Sequence, residues 1–251
     1  MKMTRKLIPA FVMLIVSAIM LSTASFAWFA NSTSVNATGM TVKANTDVKF
    51  LEISTSNDSG WASFVTLTAT DEDLDLVTAK VSENKDVTWH TGTAALPTAP
   101  TVNDTGLVPV TNIKAPDANL ALIQTLYVRM SNEQATLSNL VITGVEVTNG
   151  TSTLSPTLRV LVIAKDSVDG EVQGVQVWDV GDTDPQNAEE AGLVNSDNIK
   201  SSNALVSEIA NGDVYTLEVY VYFDGEDKQA YTNKAASGVL SQVVTVTFGG
   251  Q

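Results

Sequence analysis

The chain has 251 residues, 44% of them hydrophobic and 17% charged, with a formal net charge of −14 and no cysteine. So acidic a surface repels phosphate backbones and anionic headgroups, which argues against nucleic acid and acidic lipid as partners. Without cysteine there are no disulfides, no thiolate catalysis and no Cys-ligated zinc or iron–sulfur site, so core burial and backbone pairing must hold the fold.

The first segment reads as an export signal. Lys2, Arg5 and Lys6 precede an uncharged apolar run over 7–21, and Ser22-Thr23-Ala24-Ser25-Phe26-Ala27 follows, small apart from Phe26. A positive start, a short apolar stretch and small residues at −3 and −1 are what signal peptidase recognises. Ser25 and Ala27 occupy those two positions, which places cleavage after Ala27. An uncleaved anchor would need roughly 20 apolar residues, and here it would have to run through Ser22, Thr23 and Ser25. The membrane is therefore met only during export. Losing three bases and no acid takes the net charge from −14 to −17.

Beyond residue 44 the patterning is that of strands. Alternation with period two marks 48–54, 61–68, 74–81, 120–131, 137–148, 157–164 and 172–180. It is clearest over 213–225, where Tyr215, Leu217, Val219, Val221 and Phe223 share one face and Thr216, Glu218, Tyr220 and Tyr222 the other. A last strand is expected over 240–248. Gly, Asn, Asp and Pro punctuate the gaps. Helix signals are limited to 198–210, with Leu205, Val206 and Ile209 at helical spacing, and to a short turn over 227–236. Two long loops are expected, at 91–109 and 181–197. No fixed-period repeat and no shift in composition divides the mature chain. The expected fold is an all-β antiparallel β-sandwich with decorated loops and one or two short helices, a single domain over 45–251.

Catalytic signatures are missing. His90 is the only histidine, and neither HExxH nor G-x-S-x-G occurs. The expectation is a strand-end or loop histidine facing water and no enzymatic activity. No Gly-rich phosphate loop follows a strand. For metals, the acidic loop over 181–197 offers Asp182, Asp184, Asn187 and Glu189, hard oxygen ligands of the kind calcium takes. The spacing is not that of an EF-hand, and a solvated acidic loop is the simpler expectation; no cofactor is required. The N-x-S/T triplets at Asn31, Asn36, Asn57, Asn103 and Asn149 mark surface. Residues 246–251 end on a strand with no anchoring pattern, so no covalent tether is expected.

Cleavage after Ala27 would expose the sequence WFANSTSVNATGMTV as a new start. Ala27, Trp28, Phe29, Asn31 and the run Ala37-Thr38-Gly39-Met40-Thr41-Val42 resemble the start of the TasA/camelysin family of exported Gram-positive proteins, with a SipW-type signal. The run from Val219 to Asp227 is similar to a strand and acidic-Gly-Glu-Asp element of related surface proteins. These stretches are a small part of the chain. The resemblance implies a jelly-roll-like subunit that homopolymerises into cell-surface or biofilm-matrix fibres, with or without an accessory nucleating protein. It further implies that residues 28–44 hold a donor-strand segment and the first strand. Trp28, Phe29, Ala30, Asn31 and Val35 would be the contacts to a neighbouring copy. The competing reading is a monomeric secreted adhesin or carbohydrate-binding module whose acidic loops hold calcium.

Overall fold

A computed structural model describes residues 34–36, 41–46, 50–68, 73–82, 84–92, 107–109, 120–131, 136–148, 157–180, 204–226 and 243–250. Among them are fifteen strands and no helix: β1 (Ser34–Asn36), β2 (Thr41–Thr46), β3 (Leu51–Ser54), β4 (Phe64–Thr68), β5 (Asp73–Asp75), β6 (Val77–Val81), β7 (Val87–Gly92), β8 (Leu107–Pro109), β9 (Leu122–Met130), β10 (Leu137–Thr148), β11 (Leu158–Asp166), β12 (Val172–Asp179), β13 (Val206–Ile209), β14 (Val214–Phe223) and β15 (Val243–Gly250). Two five-stranded sheets make the sandwich. The front sheet has the order β13-β10-β15-β2-β4 and the middle sheet β12-β11-β14-β9-β3. The sandwich expectation is met. The loop expected over 91–109 starts and ends in strand, because β7 and β8 pair there.

The sequence explains which faces meet. Leu217, Val219, Val221 and Phe223 of β14, with Val160 and Val162 of β11, point at Val244, Val246 and Phe248 of β15 and Leu140 and Ile142 of β10; all are buried in one core. The opposite face of the middle sheet is apolar as well. Leu161, Ile163, Val175, Val177, Tyr220 and Tyr222 form a second core with Val77, Ala79, Val81 and Trp89. Those last residues belong to a third layer, the outer sheet β6-β7-β8. Tyr220 and Tyr222, on the face opposite the main core, are therefore buried. The Trp89 ring stands 5.3 Å from that of Tyr220 and 5.1 Å from that of Tyr222. Burial on both faces is why 158–164 reads as an almost unbroken apolar run, a pattern usual for strands covered on two sides.

One expectation is overturned. Leu205, Val206 and Ile209 were at helical spacing, but 206–209 is strand β13, with Val206 opposite Leu140 and Ile209 opposite Leu137 of β10. Four residues with two apolar positions cannot specify a helix by themselves, and the open edge of β10 supplies the backbone partners that decide. The other expected helix, 227–236, lies outside the described residues.

Each side of the sandwich has a seam. Beside β12, the Gln176 side chain crosses to the front sheet and accepts the Ile142 N–H at 2.7 Å, next to an irregularity in β10 between Ile142 and Gly144. Gly174 lies so close to the strand entering β13 that an added Cβ would sit 2.4 Å from the Ala204 carbonyl oxygen and 2.6 Å from that of Leu205. On the far side, Ile53 of β3 and Ala62 exchange backbone hydrogen bonds of 2.8 and 3.0 Å. The chain then turns into β4 and pairs with β2 of the other sheet. β2 itself lies between β4 and β15 and forms the one parallel ladder among the described residues, Thr41 opposite Val243 through Thr46 opposite Phe248.

Two stability outcomes follow from this packing. Trp89→Ala should lower unfolding free energy by about 3–5 kcal/mol, the usual cost of emptying a buried aromatic site, read as a shift in urea midpoint. Gly174→Ala meets backbone rather than a movable side chain, so it should destabilise by about 1–3 kcal/mol, the cost of overpacking, although alanine is the smallest possible addition.

Candidate functional site

The residues expected to carry function fall in three places. Trp28, Phe29, Ala30 and Asn31 lie outside the described residues, as do Ser25 and Ala27 at the expected cleavage site and Asp182, Asp184, Asn187 and Glu189 of the acidic loop. Among the described residues no cluster of three or more His, Asp or Glu could hold a metal ion. Val35 is placed: it is the middle residue of β1.

β1 belongs to neither sandwich sheet. It forms a two-stranded ribbon with β5, antiparallel, with Ser34 opposite Asp75, Val35 opposite Leu74 and Asn36 opposite Asp73. Leu74 is fully buried and belongs to the main core. The receiving strand is thus anchored in the body of the protein, while the strand it receives is held by a three-pair ladder. Four residues, 37–40, then lead from β1 to β2, whose Val42 and Ala44 are core residues.

His90 lies within β7, opposite Thr78 of β6, and is partly buried. The expectation of a strand-end or loop position is corrected, because the middle sheet needs a cover and β7 is the central strand of that cover; the side chain itself keeps part of its surface in water. Burial lowers the imidazole pKa from 6.5, and the positive charge of Lys80 lowers it further. A second polar group, on the middle sheet, joins Tyr220, Glu218 and Lys165. The Tyr220 hydroxyl donates to Glu218 Oε2 at 2.8 Å, and Lys165 pairs with Glu218 Oε1. Burial first, then the Glu218 charge and hydrogen bond, push the Tyr220 pKa far up. At neutral pH that phenol keeps its proton and stays a hydrogen-bond donor to Glu218.

Sequence reasoning missed a deeply buried group of charged and polar side chains. Arg159 and Asp224 are each 1% exposed in their side chains, with Arg159 Nε 3.9 Å from Asp224 Oδ2. Thr78 Oγ1 donates to Asp224 Oδ1 at 2.7 Å. The Glu226 N–H donates to the same carboxylate oxygen at 3.1 Å, and Glu226 Oε1 meets Lys80 Nζ at 3.0 Å. Thr78 and Lys80 are on β6, Arg159 is on β11, and Asp224 and Glu226 follow β14. The network ties the outer sheet to the middle sheet at one corner, where Asp224 bridges Val77. The available signal was Arg159 alone in an apolar run, a charge that must find a partner when buried.

No protein-family model, no curated protein and no solved structure matches the chain. The arrangement itself offers ordered strand ladders, charges engaged in pairs and a separately held N-terminal strand.

Two outcomes test this description. Asp224→Ala would strand the buried Arg159 charge and should cost about 3–5 kcal/mol, measured by denaturant unfolding. For His90 the folded pKa lies below the ordinary 6.5, so the unfolded chain binds the proton more tightly. Its contribution is fully present above that value and is lost as the pH falls through it toward the folded pKa. His90→Asn should flatten the pH dependence of the urea midpoint in that window.

Proposed function

We propose that the chain is a secreted structural subunit that polymerises into extracellular fibres by donor-strand exchange, the N-terminal segment of one copy completing a ladder on the next. The observation that carries this reading is the β1–β5 ribbon. Its three backbone pairs are indifferent to which copy supplies β1, as in any strand addition, where main-chain hydrogen bonds give affinity and side-chain positions give register. Exchange needs only residues 28–40 to change course; β2 and its core residues stay in place. A contact that passes from head to tail without closing builds a filament. Trp28 and Phe29, two adjacent aromatics at the start of the mature chain, are the natural anchors for the exchanged segment, with Val35 in register opposite a neighbour's Leu74. The resemblance of 27–42 to the TasA/camelysin start points the same way. Signal peptidase is the partner that would free the segment.

Purified residues 28–251 should form regular thin filaments in negative-stain microscopy as concentration rises, whereas residues 39–251 should retain the β-rich circular dichroism spectrum and cooperative melting yet form none. Filaments of the same appearance from residues 39–251 would sink the exchange mechanism. Dispersed monomers from residues 28–251 at every concentration would count against polymerisation by this chain unaided.

A further inference from the structure

A sandwich of two open sheets has four edges, and three of these are closed or charged. β12 lies against the Ala204–Leu205 backbone. β3 exchanges hydrogen bonds with Ala62. β13 presents Ser207 and an exposed charge, Glu208. The fourth edge is β4, with the sequence Phe-Val-Thr-Leu-Thr, and among the described residues no strand pairs with its outer side. Natural edges are commonly protected by a lysine, a proline, a bulge or an inward charge. β4 has none of these, and Phe64 is 61% exposed. The uncharged stretch extends from Ser59 to Thr70, a long interval in a chain of net charge −14. Two copies repel one another through their acidic surfaces, and this edge adds no acidic charge to that repulsion. The one charge flanking it on the neighbouring strand is a cation, Lys43, opposite Thr66.

The hydrogen-bond phase of β4 is also fixed. Ser63 directs its carbonyl to Thr46 of β2, while Ala62 directs its N–H and carbonyl the other way, to Ile53. Continuing that alternation, Val65 and Leu67 face β2, whereas Phe64, Thr66 and Thr68 turn their N–H and C=O groups outward. From this we infer that β4 is a self-recognition edge. Two copies join antiparallel about a two-fold axis at Thr66, with Thr66 against the second copy's Thr66 and Phe64 against its Thr68, so that two front sheets become one continuous sheet. The contact is isologous and closes on itself. It does not rest on donor-strand exchange; where filaments form, it would join two of them side by side.

The absence of native cysteine makes the test clean, because any introduced thiol is unique. Residues that form a hydrogen-bonded antiparallel pair stand about 5.5 Å apart at Cα, within disulfide reach. Under mild oxidation, residues 28–251 carrying Thr66→Cys should give a cross-linked dimer on a non-reducing gel about tenfold faster or more than the same chain carrying Ser207→Cys, since pairing raises the local thiol concentration. The gel reads this with or without filaments, so its failure is separable from failure of the exchange mechanism. Thr66→Pro removes an outward N–H and no bond to β2, a placement proline tolerates. That variant should keep its melting temperature and lose the dimer in sedimentation velocity. Equal cross-linking rates for the two cysteine variants, or a dimer that survives Thr66→Pro, would overturn the inference.

Discussion

The middle sheet is apolar on both faces, and the rest of the architecture follows from that. Leu158 through Ala164 is buried without interruption, and Val219 through Phe223 likewise. A sheet of this kind cannot leave either face in water: at roughly 25 cal/mol per Å² of apolar surface, exposing Tyr220, Tyr222, Ile163 and Val177 together would consume much of the stability of an ordinary domain. The front sheet covers one face. The outer sheet covers the other and buries its own apolar face by doing so.

Covering two faces creates a joining problem, which is solved by polar chemistry where the layers meet. Hydrophobic contact is not directional, so it holds the outer sheet against the middle one without fixing its position. The Arg159, Asp224, Thr78 and Glu226 group is directional. Each bond has one donor and one acceptor at a defined place, so sliding the outer sheet by one residue would leave buried charge without its partners. Gln176 plays the corresponding part between the middle and front sheets, where its amide oxygen satisfies a backbone N–H at an irregular point of β10. Apolar burial supplies most of the free energy, and a few buried polar side chains supply the alignment.

How much of this could be read from the sequence depends on the range of the interaction. The alternation of 213–225 correctly assigned Leu217, Val219, Val221 and Phe223 to one face and Tyr220 and Tyr222 to the other, because period two is a local property of the strand. That the second face is also buried depends on β6 and β7, more than a hundred residues earlier in the chain, and no local pattern reports it. The 206–209 segment failed for the same reason: its partner β10, not its own spacing, made it a strand. Of the candidate assembly residues, only Val35 lies among the described residues. Its pairing with Leu74 was not legible, because Leu74 looked like the start of one strand over 74–81, and the chain instead breaks at Leu76 into β5 and β6, which serve different sheets.

The parallel ladder between β2 and β15 has a consequence in time. A polypeptide is made from its N-terminus, so Thr41–Thr46 is available long before Val243–Gly250, its partner, has been made. Until then β2 lacks the strand that separates it from β10, and the front sheet has a gap at its centre. Contacts between the far ends of a chain are slow to form, because the intervening loop must close before they contribute. The front sheet therefore closes only once Val243–Gly250 is available to fill the gap between β2 and β10.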